Sequence, residues 1–256
     1  MCSANFRKEM IPHFEKHLKA KNIVDAKDKS TVMHQVSSSG YTDLLAYFVQ
    51  NDMPNINKQD SDGKTALHLA VLHRHQHIAE ILLQQKADVH LRDSDICDSR
   101  SAIHMACNNG DLHMVDLLIK HAAHINKRDK LGFTPLHLAS IRGHTEVVKL
   151  LAKEKAKAKK IDAIGRTALY VACEMNRLET VKFLLQEHTI YDIHIEESKN
   201  GFTPLHIACE KEHTYLVDTL LKYGANVNRP SKNNDTPMKI AKRHGNKDII
   251  KLFAEI

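Results

Sequence analysis

The sequence predicts an all-α solenoid of about seven helix-turn-helix-hairpin units preceded by an N-terminal helical cap. Three observations carry this. A four-residue phrase returns at a near-constant interval, all nine glycines fall into three slots of that interval, and apolar residues between the slots recur at helical spacing. A unit of this size cannot bury its apolar face alone, so such a period means stacked layers that share one core.

The phrase is Thr-Pro-Leu-His in its fullest form. It reads Thr31-Val32-Met33-His34, Thr65-Ala66-Leu67-His68, Ser101-Ala102-Ile103-His104 and Thr134-Pro135-Leu136-His137. It returns as Thr167-Ala168-Leu169-Tyr170, Thr203-Pro204-Leu205-His206 and Thr236-Pro237-Met238-Lys239, at spacings of 34, 36, 33, 33, 36 and 33 residues. The Thr or Ser hydroxyl caps free amides at a helix start. Pro fits the first helical position because it has no amide hydrogen to lose there. The Leu, Ile or Met points into the core, and the His is placed to hydrogen-bond and hold the neighbouring turn.

The rest of each layer follows in order. Gly40, Gly110, Gly143 and Gly245 lie nine residues after the capping residue, where a first helix ends in a left-handed turn. Glu146-Val147-Val148-Lys149-Leu150-Leu151 has the apolar spacing of a second helix packed on the first. Gly224 closes such a helix, and His124-Ile125-Asn126 and Asn226-Val227-Asn228 read as the extended arm of a hairpin finger. Gly63, Gly132, Gly165 and Gly201, two residues before the next cap, turn the finger into the following unit.

On the phrase, its period and these glycine slots, the chain resembles the ankyrin-repeat family. The resemblance covers residues 29–256 as a domain of seven repeats, with residues 1–28 as a helical cap or degenerate half-repeat in which Phe14, Leu18 and Val24 share one face. It implies a non-catalytic protein–protein interaction module: a scaffold, adaptor or masking protein. Microbial and viral genomes also encode such proteins as effectors acting on host proteins, which is the alternative biological setting. No further domain is expected after the seventh unit, whose first helix carries a polar coat of Lys239, Lys242 and Arg243.

Composition narrows the class further. The net charge is +6, from 37 basic and 31 acidic residues, too mild to define a partner. No apolar run approaches the ~20 residues of a membrane span, and the N-terminus lacks the apolar core of a secretion signal. Cys107, Cys173 and Cys209 occupy one slot in three layers, too far apart to pair, which points to a reducing compartment. Cys2 and Cys97 lie in terminus and loop. The expectation is a monomer in the cytoplasm or nucleus, or in host cytosol for an effector.

Catalytic and metal chemistry find no support. There is no nucleophile motif, phosphate-cradling loop or carboxylate pair at catalytic spacing, so no enzyme and no cofactor is expected. His73-Arg74-His75-Gln76-His77 is the most metal-like string, but Arg74 stands in the helix-ending glycine slot, so the string straddles a turn. His34, His68, His104, His137 and His206 belong to the phrase and are read as structural.

Two features remain for binding. Lys153-Glu154-Lys155-Ala156-Lys157-Ala158-Lys159-Lys160 replaces the usual glycine and asparagines, and its Ala/Lys content predicts a second helix that overruns its stop. With Lys127, Arg128 and Lys130 it makes a basic edge centred on Lys157, Lys159 and Lys160. The alternative function is therefore a basic module that binds acidic partners or nucleic acid through Lys153–Lys160, with nucleic acid the less favoured of the two because no aromatics are interleaved.

The second feature rests on the resemblance, which implies that a partner meets finger tips and the open side of each first helix. Those slots lie four, three and one residues before the cap and seven and eight after it. In early layers they hold Ser61, Asp62, Lys64, Asn108 and Asn109, mostly polar. In the middle layers they hold Leu131, Phe133, Ile141, Arg142, Ile164, Arg166, Met175 and Phe202, an apolar cluster rimmed by arginines of the kind that anchors protein partners. The alternative for the two phenylalanines is that they lean on their own hairpins. The two longer intervals place extra residues in Asp93–Ser99 and around His188–His194, and insertions in repeat proteins map to loops.

Overall fold

A computed structural model describes residues 29–50, 55–94, 96, 98–186 and 193–255. The expected N-terminal cap, residues 1–28, lies outside the described residues, as do Cys2, Cys97 and residues 187–192 of the second insertion. Among the described residues there are fourteen α-helices and no strand, with one isolated bridge between Arg92 and Ser101.

The helices form seven pairs. They are α1 (Val32–Ser39) with α2 (Thr42–Gln50), α3 (Ala66–Leu72) with α4 (Gln76–Gln84), and α5 (Ala102–Asn109) with α6 (Leu112–Lys120). Then come α7 (Pro135–Arg142) with α8 (Thr145–Lys153), and α9 (Ala168–Glu174) with α10 (Leu178–Gln186). The last are α11 (Pro204–Glu210) with α12 (Thr214–Lys222) and α13 (Pro237–His244) with α14 (Lys247–Ala254). Every first helix begins on the residue after a phrase Thr or Ser, and the six threonines hold the extended backbone of an N-cap.

The chain divides into two compact units, Met1–Ala106 with His113–His124, and Cys107–Leu112 with Ile125–Ile256. In the first, α1 packs on α3 and α2 on α4, burying Met33, Leu45, Phe48, Leu67, Ile78 and Leu82 completely or nearly so. In the second, the first helices α7, α9, α11 and α13 pack in series, as do the second helices α8, α10, α12 and α14. Leu136, Leu151, Leu169, Leu184, Leu205 and Leu220 fill the space between the two rows. Each contributes roughly 1.5–3 kcal/mol by leaving water. Cys173 and Cys209 sit beside Ala172 and Ala208, all fully buried, where a small side chain lets neighbouring helices approach. The two thiols and that of Cys107 are free, and burial pushes their pKa values upward, that of Cys209 to about 12.

The phrase histidine ties one layer to the next. The Thr31 amide donates to His34 Nδ1 at 3.0 Å, and Thr31 Oγ1 lies 2.8 Å from the same nitrogen. A backbone amide can only donate, so Nδ1 is the bare nitrogen and Nε2 carries the proton. Nε2 donates to the Lys64 carbonyl, one residue before the next cap, at 2.9 Å. The same circuit links Thr134, His137 and the Arg166 carbonyl, and again Thr203, His206 and the Asp235 carbonyl. Burial disfavours the charged ring at three of these histidines: it lowers His68 and His137 to about 4 and lowers His206 as well. At His68 the Arg100 carbonyl stands beside Nε2 but outside ordinary hydrogen-bond geometry.

One local expectation is overturned. Helix α8 does not overrun: it ends at Lys153, and Lys155 takes the left-handed conformation (φ 61°) while the Ala156 amide returns to the Leu151 carbonyl at 2.9 Å. Helix propensity of an Ala/Lys stretch is worth a few tenths of a kcal/mol per residue. It loses to the burial of Ala156 and Ala158 in the finger base and to the bond from the Lys157 amide to Asn126 Oδ1. The insertions also resolve. Asp93 to Ser101 spans eight positions against five from Asp129 to Thr134, so the first insertion lies wholly in its finger. The second is divided, with Glu197 to Thr203 spanning six, one position more than the norm.

Candidate protein-interaction surface

The fingers of the second unit are built on buried acids. Asp129 Oδ1 accepts the Phe133 amide at 2.8 Å, and Asp162 Oδ1 accepts the amides of Ile164 and Arg166 at 3.0 and 2.9 Å. In the finger that is one residue longer the acid is Glu197, one methylene longer, and it takes the amides of Lys199, Asn200 and Phe202. These acids recur five or six residues before the cap, a regularity of the sequence that lies outside the partner-facing slots.

The tips then lock side by side. The Ala163 amide donates to the Leu131 carbonyl at 3.0 Å, Ser198 to Ile164 at 2.7 Å, and Lys232 to Asn200 at 2.8 Å. Such contact requires bare backbone at the turn. Gly132 has φ 83°, and a Cβ there would stand 2.5 Å from the Ala163 nitrogen. The Leu131 and Ile164 side chains therefore point outward from tips whose backbones are fixed against each other, each 47% exposed. Met175, capping the end of α9, is 42% exposed. Ile161, which no slot included, is 42% exposed on the same finger as Ile164.

The other expected site residues are placed differently. Phe133 is half-buried, its ring 6.0 Å from that of His137 and capped by the Arg166 guanidinium at 5.6 Å. Phe202 is half-buried and stacks on His206 at 5.3 Å with 14° between planes. Both phenylalanines thus lean on the phrase histidine of their own repeat. Arg166 is held from both sides, by Asp162 Oδ2 at 2.8 Å and Glu174 Oε2 at 2.7 Å. Arg142 is exposed but gives Nε to Asn108 Oδ1 at 3.1 Å, and half-buried Ile141 lends its carbonyl to Arg177 Nε at 2.9 Å. The arginine rim is thus engaged within the protein. Leu131, Ile164 and Met175, with Ile161, form its outward apolar part.

In the early slots Ser61 and Asp62 are exposed, with Lys64 paired to Asp62 at 2.6 Å. Asn108 and Asn109 are half-buried. The polar picture of these layers omits Leu72, seven residues after Thr65 and exposed. The histidine string is divided as its turn demands. His73 ends α3, Arg74 is left-handed, and His75 starts α4 with Nε2 on the Ser38 carbonyl at 3.1 Å.

The basic edge is on the surface. Lys127, Arg128 and Lys130 are exposed on one finger; Lys157, Lys159 and Lys160 are exposed at the base of the next, while Ala156 and Ala158 between them face inward. Among the described residues no helix is long and apolar enough to cross a membrane.

Comparison with known proteins agrees with this architecture. A family model described as ankyrin repeats (3 copies) matches residues 2–93, 103–197 and 189–256. The human ASB11 ankyrin repeat domain is similar in structure (TM-score 0.76, 23% identity) over 88% of this chain and 97% of that one. The ankyrin repeat domain of Bcl-3, described as a unique member of the IkappaB protein family, is similar with a TM-score of 0.75 and 26% identity. That match covers 89% of this chain and all of the other. Among curated proteins no sequence match is found. Ankyrin repeats are generally protein–protein interaction modules, and no enzyme family is indicated. The chain belongs to the ankyrin-repeat family and has its solenoid fold.

Proposed function

We propose that this chain is a non-catalytic binding module that holds a protein partner on the finger and first-helix face of its second unit. One observation carries the reading: Leu131, Ile164 and Met175 are each more than two-fifths exposed on backbone that is itself tied down. Exposed aliphatic side chains cost free energy in water and regain it when a partner covers them. Because the tips are hydrogen-bonded to each other and Arg166 is clamped by two carboxylates, little ordering entropy is lost on association. Such a surface suits scaffolding, recruitment or masking.

The test replaces the exposed residues rather than the half-buried phenylalanines. Ile164→Glu with Met175→Glu leaves the core and the finger bonds intact, so folding by circular dichroism is expected to be unchanged. Affinity capture from cell extract followed by mass spectrometry should then lose the proteins that the wild type retains. Equal capture by both folded proteins would remove this surface from consideration.

A further inference from the structure

The lysine turn at the base of the second unit's finger has no structural use for its charge. Lys160 N donates to the Lys157 carbonyl at 3.1 Å, closing a tight turn over residues 157–160, whose ends therefore lie within about 7 Å. Ala158 inside the turn is 3% exposed, while Lys157, Lys159 and Lys160 are all exposed. Among the described residues none of these three, nor Lys153 or Lys155, forms an ion pair. By contrast, Lys149, Lys182 and Lys222 on the second helices are each matched to an acid at 2.7–2.8 Å. Among the described residues, the acids of the same two fingers are unavailable: Asp129 and Asp162 are buried and spent on finger amides, while Glu154 beside the turn is exposed. Like charges gathered this closely repel and raise the local potential for anions.

What lies next to the turn selects the class of anion. Ile161 follows Lys160 directly, and the Leu131 and Ile164 tips stand further along the same pair of fingers, joined at Leu131 and Ala163. A nucleic acid would want aromatic faces or open arginine planes for its bases, whereas this turn offers lysines and branched aliphatics, and Arg128 on the preceding finger gives its Nε to the Gly132 carbonyl at 3.2 Å. We infer that the turn Lys157–Lys160 receives an acidic segment of a protein partner, its carboxylates on Lys157, Lys159 and Lys160 and its following apolar residues on Ile161. This deepens the reading of the chain as a protein-binding module by naming the chemistry of the partner. The ammonium groups supply steering and register more than raw affinity, as exposed charges do.

The test uses the full chain and a fluorescein-labelled peptide of five glutamates followed by Leu-Val-Leu, read by fluorescence anisotropy. Saturable binding to the wild type is expected. Lys157→Gln with Lys159→Gln and Lys160→Gln should weaken it about tenfold, the sum of three modest exposed pairs. A charge-matched control, Lys211→Gln with Lys242→Gln and Lys247→Gln, should change it less than about twofold. Replacing the peptide's glutamates by glutamines should abolish saturation. The inference is overturned if the two triple variants weaken binding equally, if neither does, or if the glutamine peptide binds as well. It is also overturned if labelled oligothymidine binds more tightly than the glutamate peptide. Capture by the apolar surface is read separately through Ile164 and Met175, so either reading can fall without the other.

Discussion

Lowering the pH from 7 to 5 should destabilise the second unit in part through His137, and His137→Gln should remove that share of the dependence while His206 keeps its own. His137 is held neutral, with its Nδ1 accepting from the Thr134 amide and its Nε2 donating to the Arg166 carbonyl, and burial lowers it from 6.5 to about 4. Between those two values the unfolded chain binds a proton that the folded chain refuses, so stability rises with pH across the window. The stabilisation is complete above 6.5 and is lost progressively as the pH falls toward about 4. At pH 5 the unfolded ring is almost wholly protonated and the folded ring almost wholly neutral, which by linkage costs roughly 2 kcal/mol relative to pH 7. His68 acts in the same sense in the first unit, where Asp93 opposes it, because burial pushes that carboxyl up to about 6. Urea unfolding at pH 7, 6 and 5, followed by circular dichroism at constant ionic strength, measures the effect. The Gln variant starts lower at pH 7, by about 1–3 kcal/mol for imperfectly replaced buried hydrogen bonds. Its loss between pH 7 and 5 should be smaller than that of the wild type by roughly 2 kcal/mol. Parallel losses in the two proteins would refute the neutral-histidine circuit.

Three further outcomes follow from particular contacts. Gly132→Ala should cost more than about 2 kcal/mol, combining a left-handed alanine with a collision at the Ala163 nitrogen, as read from thermal unfolding. Gly224→Ala, at φ 79° with open space around it, should cost only about 1 kcal/mol; equal shifts would deny the finger lock. Ala158→Glu should destabilise by about 3 kcal/mol or more by burying a charge, whereas Lys157→Glu beside it should stay within about 0.5 kcal/mol. Native iodoacetamide labelling at pH 8 with peptide mapping should leave Cys107, Cys173 and Cys209 unmodified, since burial both shields these thiols and opposes their ionisation. Rapid labelling of any of them would contradict the packing of the first helices.

The division between what a sequence states and what a structure adds is visible residue by residue. A capping threonine, a left-handed glycine and an apolar helix face are local requirements, and the chain repeats them at a near-constant interval. Their positions therefore determined the number of described helix pairs, the start of every first helix and the turns between them. Counting from each threonine also singled out Leu131, Ile164 and Met175, which are exposed. It could not rank them against Phe133 or Phe202, whose rings are drawn in by His137, Arg166 and His206. It passed over Ile161, whose position six residues before the cap belongs to no slot. Nor could it stop α8 at Lys153, because local propensity favours helix and only the tertiary setting, through Asn126 of the preceding finger and the burial of Ala158, demands a turn. The sequence by itself determined the layers, since each is specified by interactions only a few residues long. Tertiary structure alone decided which side chains the surface presents, since exposure depends on atoms roughly one repeat away that a local pattern does not encode.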